Sequence, residues 1–502
     1  MIKTPKTITI VGAGTAGLVA ALMLRVRFHN IGIKIVRSKK IGIIGVGEGS
    51  TEHWNEFLEF VGINFLEIVA ECDATFKCGI LFRNWGTQDY MHNLGGDDLS
   101  IRVRGAPVAF LKYISEKQPN KIFNSLECWE NKLFSASLNP DFSPYNQYHF
   151  NTFKLNAFLE RKCLERNIDI VDDEILEVNV DEKNIITKLI GESSTYTSDF
   201  YIDCTGFSRI LMSKLGAKWQ SYSDCLKVNS AITFQTPVEE EFNIYTLAHA
   251  KNAGWMFRIP VWDRYGNGYI YDSNFITKEQ AAQEMFEHFG KEIEIGREFK
   301  FDPGSLKQVW ISNCCAIGLS SSFFEPLEAT SIGSSILQTF CLMDMLVNYD
   351  ERTITEYNKH INDLFLNIRD FVFLHYLGGR NDTDFWKYVS TIKIPESLQY
   401  NLEKWENKIP TQLDFDGTCH YRMFNSGNFT QILYGLNKFN VDSIKKQFDY
   451  IPDLLTVAAK HKLQEKLLKN ELMPKIGHKE YITALRTIYF KKKRMEAESH
   501  YF

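Results

Sequence analysis

The chain alternates between short apolar runs of β-branched residues and longer stretches with helical spacing, and that alternation predicts an α/β fold. Thr7-Ile8-Thr9-Ile10-Val11 reads as a strand. A glycine-rich turn follows at once, then Leu18-Val19-Ala20-Ala21-Leu22-Met23-Leu24, an apolar run of good helix formers. Ile33-Lys34-Ile35-Val36 predicts a second strand, and Ile43-Ile44-Gly45-Val46-Gly47-Glu48 a further loop beside it. Phe153 to Glu165 has helical spacing, and the stretch from Ile168 to Ile190 is β-like. Phe200-Tyr201-Ile202-Asp203 predicts a strand returning to the first sheet, with Gly206 turning the backbone close to a bound ligand. From Phe207 to about Phe301 the pattern is mainly β, with turn residues expected at Tyr265-Gly266-Asn267-Gly268. Cys314-Cys315-Ala316-Ile317-Gly318 should close the first sheet, and after Glu328 the chain reads as mostly helical.

At 502 residues the chain can bury a large core. Its net charge of −5 argues against a nucleic-acid partner, and the one basic run, Lys491-Lys492-Lys493-Arg494, reads as a solvated helix end. The N-terminal residues lack the apolar core of a secretory signal, and no apolar stretch reaches membrane-spanning length. The ten cysteines form no Cys-x-x-Cys pair, so reduced packing thiols in a cytoplasmic enzyme are expected, and no metal site. An assembly of identical copies is compatible with the chain but not specified by it.

Gly12-Ala13-Gly14-Thr15-Ala16-Gly17 is a Gly-x-Gly-x-x-Gly loop between strand and helix. Its first glycine permits the tight turn, the second admits a pyrophosphate, and the third lets helix and strand pack closely. The phosphates then meet free N–H groups at the helix start, around Thr15 and Ala16. The loop does not choose between FAD and NAD. At the end of the second strand an acid usually meets the ribose, but here Val36 is followed by Arg37 and Ser38. Arg37 is read as stacking on adenine, binding a 2′-phosphate, or simply facing solvent. The segments around Gly47, Glu48 and Gly49, and around Gly318 and Leu319, favour the longer FAD.

These motifs occur in order with Ala74-Thr75-Phe76-Lys77, Gly254-Trp255-Met256-Phe257-Arg258-Ile259-Pro260, Gly266-Asn267-Gly268-Tyr269 and Phe324-Glu325-Pro326-Leu327-Glu328-Ala329-Thr330-Ser331-Ile332. In that combination the chain resembles the flavin-dependent tryptophan-halogenase family, from the first strand to at least Trp386. The Asn, Lys and Ile usage suits a phage-borne member. The resemblance implies an FAD-binding Rossmann-like domain of the flavin monooxygenase type, interleaved with a β-rich substrate region, in residues 1–345. A mainly helical region, 346–502, would cover the substrate site. It also implies that reduced FAD from a separate flavin reductase, with O2, converts halide to hypohalous acid, which crosses a tunnel to Lys77.

By the same resemblance, Lys77 is the catalytic lysine, Glu328 its partner carboxylate, and Thr330 and Ser331 the halide site. Trp255, Phe257 and Pro326 would line the tunnel or substrate site, and Ile332 would lie near the flavin. A lysine suits the task because its ammonium can polarise hypohalous acid, or its neutral amine can form a haloamine. The sequence leaves both forms open. Each of these residues also has a plain structural role available: a surface lysine, a helix-start acid, and core aromatics.

Two departures from the family stand out, the first bearing on the surroundings of the flavin and the second on substrate. Phe257 stands where the family segment has a second tryptophan, and Phe424-Asn425-Ser426-Gly427-Asn428-Phe429-Thr430-Gln431 lacks the tryptophan expected to enclose free tryptophan. Indoles, phenols or another electron-rich ring are therefore expected, with chloride, bromide or iodide. Two other readings compete. A single-component flavin hydroxylase would not need Lys77, and a non-catalytic flavin-fold escort protein would not react reduced FAD with oxygen.

Overall fold

The computed structural model describes residues 3–43, 48–93, 102–103, 106–107, 131–135, 138–143, 145–415, 421–446, 468 and 472–499. Gly47 lies outside these, as does the side chain of Glu48.

The β-branched run Thr7–Val11 is the third strand of a six-stranded sheet in the order Asp169–Asp172, Gly32–Arg37, Thr7–Val11, Phe200–Asp203, Cys314–Ala316 and Trp310–Ile311. The first five are parallel, with Ile10 opposite both Ile35 and Ile202, and the last pairs antiparallel. Parallel strands bury both faces. Accordingly Ile8, Ile10, Ile35, Val36 and Ile202 are all buried beneath helices Thr15–Arg27, Thr152–Glu165 and Thr330–Met345.

A second sheet of seven strands runs Ile295–Lys300, Ser230–Pro237, Arg264–Tyr271, Gly254–Val261, Tyr245–Lys251, Gly79–Arg83 and Tyr90–Asn93. Gly79–Arg83 joins it in parallel beside Tyr245–Lys251. The segment just before Gly79, which carries Lys77, is thereby held at the end of the strand next to the sheet's edge.

The expected turn at Tyr265–Gly268 is corrected by the structure. These residues lie inside the strand Arg264–Tyr271, and the reversal falls at Trp262-Asp263. The glycine is there for packing: a Cβ on Gly268 would stand 2.3 Å from Cε1 of Phe257 on the neighbouring strand. After Glu328 the chain is largely helical among the described residues, led by Thr330–Met345 and the 25-residue Glu351–His375. One hydrophobic core runs through both sheets and these helices, from Ile8 to Leu485.

Candidate active site

At the C-terminal end of the first strand, Gly12 has φ +107, and a Cβ there would lie 2.2 Å from the Cys204 carbonyl oxygen. A Cβ on Gly17 would meet the Gly12 carbonyl at 2.1 Å, whereas nothing lies within 4 Å of one on Gly14. The first and third glycines are therefore required by the turn itself, and the second leaves open space in front of the helix. That helix begins at Thr15 and Ala16, with no side chain capping its first N–H groups. Gly206 (φ +66) and Gly318 (φ +74) sit on adjacent turns past the next two parallel strands, and Gly318 presses so closely on Ala16 that a Cβ would be 2.5 Å from it. This uncapped, glycine-lined cradle fits the pyrophosphate of FAD.

Arg37, which stands at the end of the second strand in place of an acid, is itself paired with one. Glu160, on helix Thr152–Glu165, pairs with Arg37. The Arg37 charge is thus already engaged, while the Ser38 hydroxyl faces Glu174 at 3.5 Å.

One cavity of about 180 Å³ runs from beside the turns at Gly206 and Gly318 to Lys77. Phe207 and Leu319, which follow Gly206 and Gly318, line it, as do Phe257, Pro326, Thr330, Ser331 and Ile332. Gly49 and Lys77 line it too, so Gly49 belongs beside the lysine: a Cβ there would lie 3.5 Å from Lys77 Cδ and from Ala329 Cβ. Trp255 does not reach the cavity. It is fully buried one row back, against Trp85 and Phe257.

Lys77 is 1% exposed, and its Nζ donates to the Ser50 carbonyl at 2.8 Å. Burial lowers its pKa from the usual 10.5 to about 8, against the opposing pull of Glu328 and Glu52. At pH 7 roughly a tenth of such amines are neutral. The backbone is fixed on both sides, by Lys77 N–H to the Gln147 carbonyl and by Phe76 N–H to Nε2 of His478, each 3.0 Å.

Among the described residues no carboxylate lies within ion-pair distance of Lys77. Glu328, itself 1% exposed, ends the short turn Pro326–Glu328 and is held by two imidazoles. His92 Nδ1 stands 3.0 and 2.9 Å from its two oxygens, and His375 Nε2 stands 3.0 Å from Oε1. Burial alone would push this carboxyl up, but the two histidines outweigh it and hold it at about 2. Sequence reasoning missed both histidines, which carry no motif.

The turn continues into helix Thr330–Met345 through Ala329, whose φ of 55 reverses the chain. This helix also starts without a side-chain cap and without an acid in its first turn, and Thr330 and Ser331 present that start to the cavity. Such an end favours a small anion.

The family model for tryptophan halogenases matches residues 7–449. Tryptophan 6-halogenase SttH of Streptomyces toxytricini is 30% identical over 455 residues, covering 81% of this chain and 85% of that protein. Tryptophan 7-halogenase RebH of Lentzea aerocolonigenes is 28% identical over 486 residues, covering 86% and 89%. Among solved structures, Tar14, a tryptophan C-6 flavin-dependent chlorinase from taromycin biosynthesis, superposes with a TM-score of 0.84 at 27% identity, covering 96% of this chain and 100% of its own. With the glycine cradle, the buried lysine and the cavity between them accounted for, the chain belongs to the flavin-dependent tryptophan halogenase family.

Proposed function

We propose that this chain halogenates an electron-rich aromatic ring of the indole or phenol type through Lys77. Bound reduced FAD, with O2, supplies the oxidising equivalent that converts halide to hypohalous acid. Gly12, Gly14 and Gly17 hold the pyrophosphate, and the helix start at Thr330 and Ser331 holds the halide. Phe257, Pro326 and Ile332 keep bulk water from the oxidant as it passes. Lys77 then donates a hydrogen bond to the oxygen of the hypohalous acid, drawing electrons from the halogen and directing it at the ring. The observation that carries this reading is a cavity lined both by Phe207 and Leu319, beside the turns at Gly206 and Gly318, and by a fully buried amine.

We assign the supply of reduced FAD to a separate flavin reductase and the reaction to the cytoplasm; none of the described cysteines forms a disulfide. No helix among the described residues is long and apolar enough to cross a membrane. The test supplies reduced FAD, oxygen, bromide and a panel of indoles and phenols, and reads products by mass. Brominated products from the parent chain, lost in Lys77→Ala while bromide oxidation continues, are expected. Undiminished bromination by that variant would overturn the role of the lysine.

A further inference from the structure

Beside Lys77, a buried histidine and two threonines form a chain in which every proton has one place to go. His149 lies in the strand Tyr148–Phe150, opposite Gly49 on one side and Thr75 on the other, and is completely buried. A Cβ on Gly49 would stand 3.6 Å from His149 Cδ2 and 3.5 Å from Lys77 Cδ, so imidazole and lysine flank the same glycine. The Thr75 hydroxyl gives its one proton to the Pro260 carbonyl at 2.8 Å. It can then only accept from His149 Nδ1, 3.4 Å away, which puts the ring proton on Nδ1. Burial, with the Lys77 charge adding to it, lowers the His149 pKa well below its usual value and keeps the ring neutral. Nε2 is therefore bare, and the Thr246 hydroxyl donates to it at 2.8 Å.

Thr246 lines the cavity that Lys77 lines, opposite Ile80 on the neighbouring strand. Its proton is committed to His149, and among the described residues no other hydrogen bond reaches its hydroxyl oxygen. It therefore offers lone pairs alone, as an acceptor that cannot turn round to donate. The walls around it include Ile80, Phe257, Ile259 and Ile270, which offer no polar atom. A small molecule held here finds an N–H donor in Lys77 and a fixed acceptor in Thr246. Hypohalous acid carries the matching pair, an oxygen that accepts and a single O–H that donates, whereas its anion has no proton to give. We propose that Thr246, with its own proton drawn onto His149, accepts the O–H of hypohalous acid, and so holds the oxidant as the neutral acid, its electrophilic form, rather than as hypohalite. This deepens the halogenase reading above and rests on it. Thr246 touches the oxidant, and His149 is a positioning residue that acts through Thr246. The step is one of binding: no bond to halogen forms or breaks in it.

Two measurements on the full chain test it. With reduced FAD, oxygen and bromide, hypobromous acid retained in the cavity brominates indole, and what escapes is trapped by excess taurine as N-bromotaurine; mass spectrometry gives the ratio of the two products. Thr246→Val should lower that ratio about fivefold, as for the loss of one neutral hydrogen bond, with the KM for indole unmoved, and Thr246→Ser should restore it. His149→Phe should lower the ratio by less, and should add nothing when combined with Thr246→Val, because it acts only through that hydroxyl. The double variant strands neither partner, so it decides by the same ratio should Thr246→Val fail to fold. The second measurement uses hydrogen peroxide as a small O–H probe and follows the isotopically labelled ring nitrogens of His149 by magnetic resonance. On accepting the probe Thr246 donates more strongly to His149, so the Nε2 resonance should shift in the parent and stay still in Thr246→Val. An unmoved product ratio, a raised KM for indole with the ratio unmoved, or an Nε2 in the parent that ignores peroxide overturns the proposal. A parent that yields neither bromoindole nor N-bromotaurine while its Nε2 answers to peroxide refutes the halogenase reading and leaves the Thr246 acceptor standing.

Discussion

Replacing His478 by glutamine isolates the coupling between the C-terminal helix and the segment that carries Lys77. His478 begins the helix His478–Ser499 and is completely buried. Its Nε2 accepts the Phe76 N–H at 3.0 Å, its Nδ1–H donates to the Asn243 carbonyl at 3.1 Å, and its ring lies over Phe76. Both bonds need the neutral ring. Burial accordingly lowers its pKa to about 3 from the usual value near 6.5, outweighing the pull of the backbone carbonyls of Asn243 and Phe242. For a group whose folded pKa is depressed, its share of stability is whole above the unfolded pKa and is lost as pH falls below it. Each pH unit below about 6.5 then removes about 1.4 kcal/mol, or about 2 kcal/mol between pH 6.5 and 5. His478→Gln keeps an amide oxygen for the Phe76 N–H and has nothing to protonate. Hydrogen exchange of the 73–80 segment, read by mass spectrometry and corrected for intrinsic rates, should show protection falling across that window more steeply in the parent than in the variant. His149, also held neutral beside Lys77, is common to both chains and cancels in the difference. Equal slopes in the two proteins would refute the argument.

With burial lowering the Lys77 pKa to about 8, the proposed role of its ammonium predicts that bromination at saturating substrate falls as pH rises through about 8; a rate that climbs through that range would assign the neutral amine instead. Gly268→Ala puts a Cβ 2.3 Å from the Phe257 ring, which should cost about 1–3 kcal/mol and push the ring into the cavity. Adding Phe257→Leu should restore melting temperature and product together, and a single variant as stable and active as its parent would remove Phe257 from the cavity wall. In Gly12→Ala the new Cβ collides with the Cys204 carbonyl, so flavin fluorescence titration should show FAD affinity lost; normal affinity would mean that the turn relaxes without harm.

What could be read in advance divides along a physical line. The glycine cradle was legible because steric exclusion at Gly12 and Gly17 acts between residues adjacent in the sequence or across one strand pair, and leaves a local signature. The strand-like runs of the parallel sheet were legible for the same reason: burial on both faces makes them uniformly apolar. Gly268 was misread because a glycine that marks a turn and one that makes room for a neighbouring ring look alike until the cross-strand partner, Phe257, is known. The pairing of Arg37 was not legible because its partner, Glu160, lies 123 residues later. Glu328 is the sharpest case. Its turn was recognisable, but its environment was not, since 236 residues separate it from His92 and its other imidazole comes from the end of a different helix. A buried carboxylate must be neutralised or hydrogen-bonded. That requirement could be stated from the sequence, and the nearest candidate by chemistry was Lys77. The fold answers it with two imidazoles instead, and leaves the Lys77 amine on the Ser50 carbonyl. Separation of the two charges thus follows from where the seven-stranded sheet delivers His92 and where the helix Glu351–His375 ends.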